Sequence, residues 1–195
     1  MSEQINSILG SRLLALARQK IGQRLGLVDG VDQPDLADKA LGQSLATFVT
    51  LKLDGQLRGC IGNLEPVDSL LESVTRNGLQ AAFHDHRFSP LKAEEFNRIS
   101  IDISILSSPE PLAYKDGDDL LARLKPGVDG IILELGKARA TFLPQVWKQL
   151  PQPRAFMEHL CLKAGLARSA WRDQHPDIFI DQVQSFKEDP DAADS

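Results

Sequence analysis

Two stretches hold the residues whose types and spacing can do chemistry. The first is GQLRGCIGNLEP, Gly55 to Pro66, which places Cys60 between Gly59 and Ile61-Gly62, two residues after Arg58. A thiolate is the reactive form of cysteine, and a nearby cation favours it. Glycines at 59 and 62 remove side chains, so a ligand can approach the backbone closely. The competing reading is that Cys60 is a small half-buried apolar residue and the glycines relieve crowding. The second stretch is FHDHRFSP, Phe83 to Pro90, with two histidines, a carboxylate and a guanidinium in four residues. His84 or His86 can carry protons near neutral pH, Asp85 can orient one of them, and a Cys-His pair is the minimum for thiol catalysis. Against that, Asp85 and Arg87 can simply cap a helix end or pair with each other, with Phe88 plugging the core.

Lesser candidates are Glu65, on the segment leaving the Cys60 strand, and Thr141 and Gln145, which frame the turn from a second hairpin into LPQVW. Cys161 sits among Phe156, Met157, Leu160 and Ala164 at helical spacing, which reads as core. Trp147 and Trp171 read as packing anchors. His84-x-His86 lacks a third metal ligand. There is no phosphate loop, nucleophile elbow or dinucleotide fingerprint.

These groups must be positioned by a chain of 195 residues, one large domain or two small ones sharing a core. The composition is 42% hydrophobic and 25% charged, ordinary for a globular protein. No apolar run approaches the roughly 20 residues that span a bilayer, and no basic-then-apolar leader opens the chain. Two distant cysteines make no disulfide framework, so a reducing cytoplasm is the expected compartment. A net charge of −5 disfavours non-specific nucleic-acid binding.

Apolar positions from Ile8 to Leu25 predict an amphipathic helix beginning near Ile5, with Ser11 as an alternative N-cap that would split it. Gly26 to Gln43 reads as a long surface loop. LATFVTLKL and QLRGCIG are strands joined at Asp54-Gly55, a hairpin signal. Two registers are open. A two-residue turn sets Arg58 opposite Leu51. An odd-length loop with Gly55 as a bulge gathers Val49, Leu51, Leu53, Leu57 and Ile61 on one face and Thr50, Lys52, Arg58 and Cys60 on the other. The second is preferred because it keeps the apolar set together. Both registers point Arg58 and Cys60 the same way.

Pro66 opens a helix over about Val67 to Phe83, and a short helical turn covers Leu91 to Phe96. ISIDISIL alternates as a strand with one covered face. SSPEPL is a loop, and Asp118 to Leu124 a short helix. GIILEL and ARATFL form a second hairpin around Gly136-Lys137. PQVWKQL and Arg154 to Ala164 are helices, the latter capped by Gly165. A final strand covers Ile178 to Phe186. Residues 187–195 read as a disordered acidic tail behind a single domain over 1–186. Hairpins mixed with helices and no βαβ period predict an α+β fold, a mainly antiparallel or mixed sheet flanked by helices.

LRGCIG at Leu57–Gly62 resembles the signature of the AMMECR domain family. The likeness continues through AAFHDHRFSP, ISIDISIL, GVDGIIL, ATFLPQVW and LCLKAGL, nearly the whole chain. The branch it resembles is protein A of the AmmeMemoRadiSam system, a name that joins this domain to a Memo-like protein and a radical SAM enzyme. The resemblance implies a larger and a smaller lobe around a cleft lined by the two motifs. It carries family motif residues onto Arg58, Gly59, Cys60, Gly62, Asp85, Arg87, Phe88, Pro90, Leu143, Pro144 and Gln145. It implies no settled activity and no cofactor, and the chain lacks the clustered cysteines an iron–sulfur centre needs. Three roles follow as expectations: a component of a modification system with a site built on Arg58 and Cys60, a protein-binding scaffold, or a thiol-dependent enzyme using Cys60, Arg58, Asp85 and His86.

Overall fold

The computed structural model describes residues 5–29 and 39–188. The first strands are β1 (Thr47–Leu53), β2 (Gln56–Gly62) and β3 (Ile99–Leu106), antiparallel in the order β2-β1-β3. Helices α1 (Ser7–Leu25) and α2 (Leu70–Phe83) accompany them. After β3 come β4 (Glu110–Pro111), α3 (Gly117–Arg123), β5 (Asp129–Leu135), β6 (Ala138–Phe142), α4 (Pro153–Lys163), α5 (Ala170–Asp173) and β7 (Asp177–Lys187). Every strand pair given by register is antiparallel. The fold is α+β, as the sequence predicts.

The chain divides into two units. The larger holds 1–106 and 184–195, the smaller 107–183. In the larger unit the alternation of β3 is realised directly. Ile99, Ile101, Ile103 and Ile105 are buried, and with Val49 and Leu51 of β1 they meet Leu13, Ala17 and Ile21 of α1 and Val74 and Ala81 of α2. Removing these chains from water is the main favourable contribution to the unit. In the smaller unit Ile131 and Leu133 of β5 pack with Leu120, Phe156, Met157, Leu160, Cys161 and Trp171. Trp147 stacks on Phe156 with ring centroids 3.8 Å apart and donates its indole N–H to the Asp129 carbonyl. Both tryptophans and Cys161 are core residues.

Several local expectations are corrected. α1 is unbroken, because Asn6, not Ser11, is its N-cap; Asn6 accepts the Leu9 N–H, while the Ser11 hydroxyl donates to the Ser7 carbonyl inside the helix. Ile8 falls off the buried stripe and is 66% exposed. The loop after α1 is not wholly on the surface, for Ala40 and Leu41 are buried in a short 3-10 turn, Lys39–Gly42; residues 30–38 of it lie outside the described residues. α2 begins at Leu70 rather than near Pro66. Ser69 and Glu72 form a reciprocal capping box there, which fixes the start more firmly than a proline three residues upstream. The turn before β3 is a 3-10 segment, Ala93–Arg98. SSPEPL contains β4, paired with Ile180 and Phe179 of β7. At the other end, Lys187 closes β7 and Glu188 accepts from Arg18 Nε and Nη2 at 2.6 Å each and from the Ile101 N–H at 2.8 Å. Glu188 is therefore docked rather than loose tail, and 189–195 lie outside the described residues.

Candidate functional site

The first hairpin decides the site. Asp54 and Gly55 both have positive φ, 50° and 80°, and Leu53 pairs with Gln56, so the turn is the two-residue primed type that matches strand twist. The irregularity expected at Gly55 lies further along. Lys52 pairs with Leu57 but Leu51 pairs with Gly59, which leaves Arg58 as the extra residue of a β-bulge. Beyond it, Thr50 faces Cys60 and Val49 faces Ile61. The preferred facing of those residues is thus reached through a different device. Leu57 is the exception, paired with Lys52 and 46% exposed.

The bulge also interrupts the two-residue alternation between Arg58 and Cys60. Arg58 is 9% exposed and lies against the segment before β3. Its Nε and Nη2 grip Glu95 at 2.9 and 3.0 Å, and its Nη1 donates to the Ser89 carbonyl at 2.8 Å. A guanidinium fork matched to a carboxylate is a strong, directional pair. That pairing holds the Glu95 carboxyl below its usual range, helped by the Lys92 N–H and opposed by burial. The thiol of Cys60, half-buried, has a different neighbour: the Thr50 hydroxyl donates to Sγ at 3.1 Å.

The guanidinium that bonds Cys60 belongs to Arg87. α2 ends at Phe83, and the next four residues turn back along β2, the edge strand of the order. Asp85 is buried. Its Oδ2 accepts the Cys60 N–H at 2.9 Å, and Oδ1 accepts the Arg87 N–H at 3.1 Å. Arg87 Nε and Nη2 reach the two carboxylate oxygens at 2.9 and 2.7 Å, and Nη2 also donates to the Cys60 carbonyl at 3.2 Å. The bond with Arg87 and those backbone donors hold the Asp85 carboxyl far below the ordinary aspartate range, against the opposing effect of burial. Phe88 is half-buried rather than a core plug, with the Arg58 and Arg87 guanidinium carbons 6.0 and 5.6 Å from its ring centre. His84 and His86 are exposed.

The two glycines serve close packing. A Cβ on Gly59 would strike the Ala81 carbonyl of α2, and one on Gly62 would strike the Phe48 ring and the Thr47 carbonyl. Glu65 is exposed in the loop beyond β2. That loop is pinned by Asn63, whose Oδ1 accepts from Asn77 Nδ2 at 3.0 Å and from the Ser73 hydroxyl at 3.3 Å. The structure therefore joins Cys60, Asp85 and Arg87, and ties Arg58 to Glu95. Thr141 and Gln145 belong to the smaller unit: Thr141 pairs with Ile132 and its carbonyl accepts from Lys163, while Gln145 is exposed.

Sequence reasoning missed Glu95. Nothing in the sequence marked it: the Glu95 carboxylate accepts the Lys92 N–H at 2.8 Å at the start of the 3-10 segment, but a lysine at the cap position is no capping-box signal. Among the described residues, no group of three or more His, Cys, Asp and Glu side chains is arranged to hold a metal ion, and no helix is long and apolar enough to cross a membrane.

An antiparallel α+β chain with its edge strand held by an Asp-x-Arg loop defines the class. Within that class, the family model AMMECR1 matches residues 14–186, and the chain belongs to the AMMECR1 family. A protein of Methanothermobacter thermautotrophicus is 36% identical over 181 residues, 92% of this chain and 94% of the relative. One from Aquifex aeolicus is 35% identical over 158 residues, 80% of each. The crystal structure of the uncharacterized protein PH0010 from Pyrococcus horikoshii superposes with a TM-score of 0.74 at 29% identity, covering 95% of this chain and 94% of that one.

Proposed function

We propose that this AMMECR1-family chain is a cytoplasmic binding component of a modification system, holding a Memo-like protein or a radical SAM enzyme, and that the Cys60 region shapes a docking surface. One observation carries the reading: the charged groups a thiol enzyme would recruit are engaged in holding the backbone. Asp85 is taken up by Arg87 and the Cys60 N–H, and Arg58 by Glu95 and the Ser89 carbonyl. A carboxylate held that far below its usual range by a guanidinium is a poor proton acceptor. What this leaves outward is His84, His86 and Arg87, a polar face on a fixed loop.

Co-purification of the tagged full chain from its own cells, with mass spectrometry of captured proteins, tests this. Capture of a Memo-like or radical SAM protein, weakened by the exposed-loop variant His84→Ala/His86→Ala, is the expected result. Capture unaffected by His84→Ala/His86→Ala, or absence of both partners, overturns it.

The thiol-enzyme reading keeps one supporting observation, the Thr50 hydroxyl donating to Cys60 Sγ. The Cys60 alkylation rate, compared with that of a free cysteine, decides it. A strongly accelerated rate that depends on Thr50 supports the enzyme, and an ordinary rate removes it.

A further inference from the structure

The smaller unit contains a pair of buried carboxyls outside the site described above. Asp129 opens β5 and is 1% exposed; Asp181 lies in β7 and is 3% exposed. The two strands pair with Gly130 opposite Asp181 and Asp129 opposite Gln182, so the carboxyls lie on neighbouring rungs of one seam and project to opposite faces of it. Their surroundings differ. Asp129 Oδ2 accepts the Lys125 N–H at 2.8 Å, and Oδ1 takes the Gln182 side-chain amide at 3.4 Å. Asp181 Oδ1 has no hydrogen-bond partner and lies against Gly130, in the space a Cβ would fill, beside the Pro144 ring. A buried carboxylate with an oxygen left without a donor is far more costly than the neutral carboxyl in the same place.

We propose that Asp181 keeps its proton in the folded chain at pH values where an unfolded aspartate has lost it, making the β5–β7 seam a proton-controlled joint that loosens as pH rises. Burial raises the Asp181 carboxyl above the ordinary aspartate range and the Asp129 charge raises it further, with its own N–H opposing in part. The groups around it are the Gly130 backbone and Asp129 from β5 and the Pro144 ring. Among the described residues, Asp129 is the charged side chain acting on it.

The sign follows from proton linkage. The folded chain holds this proton more tightly than the unfolded chain. The stabilisation is complete below the ordinary aspartate value of about 3.9 and is lost as pH rises through Asp181's own value. In that window one proton is released on unfolding, and the unfolding constant climbs about tenfold per pH unit.

Infrared spectroscopy of the full chain, with denaturant unfolding over a pH series, tests the joint. The expected result is a protonated-carboxyl band persisting beyond the usual aspartate range and absent from Asp181→Asn. In that variant the slope of stability against pH within this window should fall by one proton. If Asp181→Asn does not fold, Asp129→Asn provides the second arm: the band should persist but titrate at lower pH, because the neighbouring charge is gone. No protonated band in the wild type, a band that survives in Asp181→Asn, or a midpoint unmoved in Asp129→Asn overturns the proposal.

Discussion

The carboxylate of Asp85 stands where a further strand would pair with β2, its Oδ2 receiving the Cys60 N–H at 2.9 Å. Arg87, clamped on the same carboxylate, returns a donor to the Cys60 carbonyl. Both outward backbone groups of Cys60 are thereby satisfied without a neighbouring strand. Exposed edges invite pairing with other chains, and a bound loop closes this one at its centre. The same bonds fix the Cys60 backbone while leaving its side chain half-buried on the other side of the bargain, next to Thr50.

Asp85→Asn should therefore destabilise the larger unit and loosen the edge together. The amide can still accept one N–H, but it loses the charge that holds Arg87. A loss of about 1–3 kcal/mol in urea unfolding at neutral pH is expected. The pH dependence has a definite sign. Asp85 is held below the ordinary aspartate value of about 3.9, so its stabilisation is complete above that value and disappears as pH falls through it toward the folded value. The wild type should lose stability on acidification more steeply than Asp85→Asn. Parallel acid limbs would show that the carboxylate charge contributes nothing.

Arg58 and Glu95 should behave as one unit. Removing either leaves the other, a buried guanidinium or a half-buried carboxylate, without its partner, and each single change to Ala is expected to cost about 2–4 kcal/mol. The double variant should cost clearly less than the sum, read in a double-mutant cycle by chemical denaturation. Arg58→Lys should not restore stability, because an ammonium cannot reproduce the fork that spans Glu95 and the Ser89 carbonyl. Additive costs would mean that the bulge, rather than the ion pair, is what Arg58 supports.

Gly59→Ala and Gly62→Ala should both destabilise, with Gly59 the harder to accommodate. A methyl at 59 meets backbone, the Ala81 carbonyl, which can move only with α2. A methyl at 62 meets the Phe48 ring, which can rotate away, and the Thr47 carbonyl, which cannot. Overpacking costs of about 1–3 kcal/mol or more are expected. Thermal unfolding of the two variants checks the order, and a tolerated Gly59→Ala would mean that α2 is free to slide along the sheet.

Much of this was legible in the chain. The alternation of ISIDISIL and the Asp-Gly turn fix the centre of the larger unit, because a strand with one covered face admits few alternatives. The facing of Thr50 and Cys60 was legible for the same reason. The partner of Arg58 was not, since a bulge inserts one residue and leaves no mark in a binary pattern; Arg58 simply looked like the next polar residue on the face of Cys60. Asp85 with Arg87 was legible as a pair, yet its target, a backbone 25 residues earlier, depends on how α2 returns the chain to β2. The carboxyl seam of Asp129 and Asp181 was invisible for a similar reason. Burial of two acids on neighbouring strands emerges only when β5 and β7, far apart in sequence, are paired.

The two cysteines should separate cleanly in alkylation. Cys60 is half-buried at the sheet edge of the larger unit, whereas Cys161 is 0% exposed among Phe156, Met157 and Leu160 in the smaller. Burial also pushes the Cys161 thiol up, away from its reactive thiolate form, with the Trp171 backbone bond opposing. Under native conditions a small alkylating reagent should label Cys60 and spare Cys161, as peptide mass spectrometry can read directly. In increasing denaturant the Cys161 signal should rise only as the smaller unit opens, so its labelling curve reports that unit's stability. Asp85→Asn should speed Cys60 labelling, because its backbone is no longer held, and leave the Cys161 curve in place. Equal native labelling of both thiols would contradict the packing of the smaller unit, and a Cys161 curve displaced by Asp85→Asn would show that the two units open together.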